Sequence, residues 1–224
     1  MRKLILFLLI LTGCVQRYDV LRNTSYPNPP PERLKLLVMP VRPIRQFGNT
    51  ISADFLRALE ESFQRELLKE YVQVEVEGAY TPDMRRPEST KVDREKNPFI
   101  AIDRDRAFEE IRSTGIDLNS KLSPEDFKRI GEACGANFLL FGFARRTYLM
   151  ALNSPNTGYF FDATRTVPVI QLYVLLMDTS SGAVVFDTKV QVVDRPEGDE
   201  TSTADPVARL TRSVLGRMLW TSFL

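Results

Sequence analysis

Histidine is absent from all 224 residues. With it go Ser-His-Asp and Cys-His nucleophile systems, histidine-based zinc sites and imidazole acid–base chemistry. Cysteine is scarce, at positions 14 and 134 only. The setting Gly131-Glu-Ala-Cys134-Gly-Ala reads as a small buried residue on a helix, without the cations that activate a thiolate. Charge of one sign is also missing, since 30 basic residues stand against 29 acidic ones. A phosphate backbone needs a basic face, so nucleic acid is not expected as a partner. Carboxylate catalysis is the chemistry left open, and its dense clusters are Asp103 with Asp105 and Glu109 with Glu110. Adjacent helical positions diverge by about 100°, so Glu109 and Glu110 do not converge on one site. The expectation is a protein that is no enzyme and holds neither metal nor cofactor. Long apolar runs are lacking too: Leu4 to Leu11 is eight residues, whereas a spanning helix needs roughly 20.

What is present begins with that short run. Arg2 and Lys3 precede it, and the small residues Thr12 and Gly13 lead to Cys14, the layout of a removable export signal over residues 1–13. Leu11-Thr12-Gly13-Cys14 resembles the lipobox of bacterial lipoproteins. The resemblance implies cleavage before Cys14, a diacylglycerol on its sulfur and acylation of the new amine. Three acyl chains, at about 0.8 kcal/mol per buried methylene, would make a lasting anchor in membrane lipid. Val15 rather than aspartate follows the cysteine, which under the sorting rule of enteric bacteria implies the outer membrane, at its periplasmic face. With Cys14 acylated, Cys134 has no disulfide partner in the chain. Losing Arg2 and Lys3 would leave 28 basic against 29 acidic residues.

Residues 14–32 read as the acylated cysteine and a tether. Tyr26-Pro-Asn-Pro-Pro-Pro31 favours polyproline geometry, and at about 3.1 Å per residue the segment from Val15 to Pro31 reaches up to ~50 Å. Residues 33–224 then form one domain, for which 43% hydrophobic residues supply one substantial core. Leu34 to Val41 reads as a first strand. Ser52 or Asn49 caps a helix whose apolar face is Phe55, Leu56, Leu59, Phe63 and Leu67. Strict alternation from Val72 to Glu77 marks a half-buried strand. Residues 81–98 carry many charges and little to bury, and read as a solvated insertion. A short helix over Asp103 to Ser113 ends near Gly115, and Ser123-Pro-Glu-Asp126 opens another that stops at Gly135. Ala136 to Phe143 is a continuous apolar strand, with Arg145 and Arg146 marking its emergence into water. Val167 to Met177 and Ala183 to Val193 form a hairpin around Asp178-Thr-Ser-Ser-Gly182. Asp205-Pro206 opens a last helix with an apolar face of Val207, Leu210, Val214, Leu215, Met218 and Leu219.

This order predicts an α+β domain, an αβ sandwich with a mixed sheet of about five strands and helices packed on it. The stretch Phe127-Lys-Arg-Ile130-Gly131-Glu-Ala-Cys134-Gly135-Ala136-Asn137-Phe-Leu-Leu-Phe-Gly142 resembles a signature of bacterial envelope lipoproteins. That group includes the curli-secretion lipoprotein and the outer-membrane lipoprotein activator of penicillin-binding proteins. Leu37-Val-Met-Pro40, Val174-Leu-Leu-Met-Asp178 and Ser181-Gly182-Ala183-Val184-Val185 agree with it. The resemblance implies an anticodon-binding-domain-like αβ fold and a non-enzymatic adaptor, activator or assembly factor of a periplasmic or envelope protein complex, such as a wall synthase, secretion apparatus or motor. Candidate contacts are Arg85 and Arg86 in the charged segment, Tyr159, Phe160 and Phe161 between strands, and Trp220 with Phe223 at the end. The alternative is a homo-oligomeric secretion-channel subunit of the curli-secretion type. Membrane-crossing hairpins would need paired stretches of about ten alternating residues, and residues 144–166 and 79–102 lack such alternation.

Overall fold

The computed structural model describes residues 24–27, 30–44, 51–76, 91–118, 120–151, 165–194 and 205–219. In chain order the elements are β1 (Leu34–Val38), β2 (Arg42–Pro43), α1 (Ala53–Leu68), β3 (Tyr71–Val76), β4 (Lys91–Lys96) and β5 (Phe99–Ala101). There follow α2 (Arg104–Ser113), α3 (Pro124–Cys134), β6 (Phe138–Ala151), β7 (Arg165–Asp178), β8 (Val184–Val193) and α4 (Pro206–Leu219).

The main sheet has the order β5-β1-β6-β7-β8, with β2 also paired to β6. Strand β1 runs parallel to both β5 and β6, whereas β7 runs antiparallel to both β6 and β8. The α+β mixed sheet of the sequence reading is therefore the observed one, and helices cover both of its faces. Alternation along β6 decides which residues go where. Phe138, Leu140 and Ala144 face a core shared with Leu59, Phe63 and Leu67 of α1 and Leu210, Val214 and Leu215 of α4. Leu139 faces the smaller core of Ala107 and Ile111 from α2 and Ile130 from α3. The apolar end of the chain thus closes the larger core through α4, which also touches β3. Where α4 meets α1, Thr211 and Ser62, both fully buried, hydrogen-bond at 3.0 Å.

Local signals hold at the helix ends. Ser52 caps α1 by accepting from the Phe55 amide. Ser123 and Asp126 form a reciprocal capping box on α3, which ends on Gly135 at φ 68°.

Two readings are corrected. The 81–98 segment is not solvated loop throughout: β4 pairs antiparallel with β3 over six residues, from Tyr71 opposite Lys96 to Val76 opposite Lys91. Val72 and Val74 of β3 are buried, and the charged strand serves as their neighbour while Arg94 and Lys96 stay exposed. Strand β6 likewise does not end at Arg145. It continues to Ala151 and pairs with β7 over fourteen residues, because Arg145 and Arg146 find partners within the sheet region and not in solvent alone.

Candidate functional site

The long axis of the sheet gives the molecule two unlike ends. The parallel strands β1, β5 and β6 all start at one end, and the segment preceding β1 is fastened there. Tyr26 lays its ring 5.3 Å from Phe138, and its hydroxyl accepts from the Asn137 amide at 3.3 Å. Phe99 meets Phe138 edge-on at 5.5 Å from the other side. Arg33 reaches under helix α1 and donates to the carbonyls of Leu67, Leu68, Lys69 and Phe99. The first three are acceptors at the C-terminus of α1, where a cation is also favoured by the dipole. Burial lowers the guanidinium's pKa while nearby Glu70 raises it. Asn97, buried, completes the cap by donating to Leu67 and Lys69 while accepting from the Phe99 amide.

The residues that carry the lipoprotein-like signature interlock at this same end. A Cβ on Gly131 would stand 2.5 Å from the Thr179 Cβ, so α3 approaches the β7–β8 turn only because that position lacks a side chain. Thr179 donates to the carbonyls of Ala136 and Asn137. Asp178, buried in the turn, accepts from Ser180 and Ser181. Gly182, at φ 68°, lies against Pro124. The motif residues are therefore a packing lock between α3 and the hairpin turn.

At the opposite end β6 and β7 run on as a two-stranded arm. Among the described residues, β6 pairs with β1 and β2 only as far as Ala144, and β7 pairs with β8 only from Val169 onward. Arg145 donates to Gln171 at 2.8 Å, Gln171 donates to Gln191 at 3.1 Å, and Tyr173 lies between Arg145 and Lys189 at 5.4 and 5.5 Å from its ring centroid. Arg146 pairs with Asp194. Tyr148 stands 54% exposed on the arm.

Two of the carboxylates weighed for catalysis, Asp103 and Glu110, have structural work. Asp103 caps α2 by accepting from Asp105 and Arg106, and Glu110 pairs with Arg106. Glu60, mostly buried, accepts from the Val41 amide and pairs with Arg104 at 2.6 Å. Among the described residues no three acidic or cysteine side chains gather as metal ligands, and no helix is long and apolar enough to cross a membrane. Cys134 is half-buried, its thiol donating to the Ile130 carbonyl, and burial pushes its pKa up. The candidate contacts Arg85, Arg86, Tyr159, Phe160, Phe161, Trp220 and Phe223, and the lipidation candidate Cys14, lie outside the described residues. Sequence reading missed the Arg33 cap and the Arg145–Gln171–Gln191 ladder, both of which join residues far apart in the chain.

No family model and no curated protein matches the sequence. Solved structures do resemble it in fold. The LpoB C-terminal domain from Salmonella enterica is 16% identical, covering 72% of this chain and 83% of that one, at a TM-score of 0.36. A PelC dodecamer from Paraburkholderia phytofirmans is also 16% identical, covering 88% and 94%, at 0.40. A lipoprotein from Neisseria meningitidis is 12% identical, covering 82% and 95%, at 0.43.

Proposed function

We propose that the protein is a lipoprotein acylated at Cys14, anchored in the outer membrane and facing the periplasm, which acts as a non-enzymatic adaptor, activator or assembly factor of a larger envelope machine. The observation that carries this reading is the opposition of the two ends. The chain arriving from Cys14 is fastened at Tyr26 and Arg33, while the β6–β7 arm points the other way. Strand β6 alone has fourteen residues, or roughly 45 Å at about 3.3 Å per residue. Any spacer ends at Tyr26 and not at Pro31, so residues 14–25 give a reach of at most ~37 Å. An arm held that far from its anchor suits contact with a wall synthase, secretion or motor complex. Tyr148 stands on that arm, and the candidate contacts Tyr159, Phe160 and Phe161 fall between β6 and β7 in the sequence.

A photo-crosslinking residue at Tyr148 in intact cells tests this. The expected product is a covalent adduct with a component of such an envelope complex, and recovery of none overturns the reading. Replacing Cys14 by serine should move the protein from the membrane to the soluble periplasmic fraction.

The channel alternative gains one supporting observation, since paired strands exist in the 144–166 and 79–102 regions where the sequence shows no alternation. Against it, the β6–β7 arm carries Arg145, Arg146 and Arg165, and arginine on a lipid-facing barrel position costs about 2–4 kcal/mol at mid-bilayer. Purified acylated protein running as a monomer in detergent would remove the channel reading.

A further inference from the structure

The two outer edges of the main sheet are finished differently. At β5 the outward groups of Phe99 are already taken, its amide by the Asn97 side chain and its carbonyl by Arg33. That strand is also only three residues long. At the other edge β8 has ten residues, and among the described residues no strand lies beyond it. Its hydrogen-bonding phase follows from the Asp194 amide, which donates to the directly opposed Pro168 carbonyl. Antiparallel pairs alternate, so Val192, Val190, Thr188 and Phe186 bond inward to β7, while the amides and carbonyls of Asp187, Lys189 and Gln191 turn outward. Arg217 of α4 agrees with this phase, since it reaches the edge past Thr188 and donates to the Lys189 carbonyl at 2.8 Å. A carbonyl has two lone pairs, so that bond leaves Lys189 able to accept once more. The side chains of Asp187 and Lys189 are both exposed, on the face opposite the core that α4 closes.

We infer that β8 pairs antiparallel with β8 of a second copy of this chain, about a two-fold axis at Thr188. In that register Asp187 of each copy stands opposite Lys189 of the other, and the exposed charges of the strand complement each other across the seam. Charge also selects the register. An axis at Lys189 or at Asp187 sets that residue against its own copy, like charge to like. An axis midway between residues opposes an outward-turned residue to an inward-turned one and leaves the edges unpaired. Because the β5 edge is closed, the pairing is isologous and stops at two copies, unlike the ring of the channel alternative.

Sedimentation velocity of the full-length acylated protein in a mild detergent tests this. A dimer is expected. A monomer at the highest soluble concentration overturns the pairing, and a larger ring overturns it while favouring the channel reading. Charge reversal then locates the seam. Asp187→Lys and Lys189→Asp should each weaken self-association about ten-fold, because each puts like charges opposite one another in both pairs. Mixed in equal amounts, the two variants should dimerise as the parent does, since the lysines of one copy then meet the aspartates of the other. Both positions are exposed, so thermal midpoints should stay with the parent's. Single variants that dimerise like the parent, or a mixture no tighter than either variant alone, overturn the β8 seam. The anchoring reading is untouched by any of these results.

Discussion

The end of the sheet where the chain enters and the end where β6 and β7 run on together are held by different forces. At the first, the Phe138 ring meets Tyr26 tilted and Phe99 edge-on, Gly131 lies hard against Thr179, and four carbonyls converge on Arg33. At the second, polar pairs such as Arg145 with Gln171 and Arg146 with Asp194 lie along strands whose Ala144, Ile170 and Leu172 are buried. Apolar burial at close-packed density dominates stability, whereas partly exposed ion pairs contribute little. The signature of residues 127–142 therefore records how the domain is locked.

Substitution at Phe138 should widen this contrast most. The ring is fully buried between two other aromatic rings, so Phe138→Ala should cost about 4 kcal/mol, seen as a lower denaturant midpoint at an unchanged slope. Gly131→Val comes next, at about 3 kcal/mol, because any Cβ there meets both the Thr179 side chain and the Ala136 carbonyl. A double mutant with Thr179→Gly should recover part of that loss, since it removes the atoms in the way. If Gly131→Val melts like the parent, the lock is not what holds this end.

Arg33→Met ranks third. The methionine keeps the stem but removes the charged donor shared by four carbonyls, leaving Leu67 and Lys69 with Asn97 alone, with an expected cost of about 2 kcal/mol. Amide exchange should quicken in the last turn of α1 and the start of β3, and stay unchanged in the β6–β7 arm. Equal quickening in the arm would contradict the division of the molecule into two regimes.

How far these features could be read beforehand follows from the range of each interaction. The face of α1, the Ser123 and Gly135 boundaries of α3 and the inward Val72 and Val74 of β3 are local patterns, and each is where the sequence places it. Strand β4 was hidden because Lys91-Val-Asp-Arg-Glu-Lys96 has no pattern of its own, its place being set by register against β3. The length of β6 was hidden because Arg145 suggests solvent, while its partner Gln171 lies on another strand, 26 residues on. Tyr26 was hidden by the prolines around it, which predict an extended tether and say nothing of a docking ring. Polar pairs and single anchors of this kind depend on the finished fold.

Ser123→Ala gives a smaller effect at the locked end, about 1 kcal/mol from the lost cap. It also carries a pH signature. Hydrogen bonds from the Ser123 amide and then its hydroxyl hold the Asp126 carboxyl below its ordinary value, with Arg129 assisting and burial opposing weakly. A depressed carboxyl stabilises the fold above its unfolded value, about pH 4, and the contribution is lost as pH falls through the lower folded value. The variant keeps the amide bond, so its midpoint should fall less steeply below pH 4 than the parent's.

Tyr148→Ser should have the smallest effect on folding of all. The ring is more than half exposed on the arm, and surface changes of this kind stay within about 0.5 kcal/mol. If the arm is the contact surface, the same substitution should sharply reduce the recovery of an envelope complex after crosslinking at a neighbouring arm position, Thr147. Thermal melts of parent and variant would then superimpose while the adduct disappears. The opposite pattern, a destabilised domain with undiminished adduct, would mean that the arm braces the fold and that recognition occurs elsewhere.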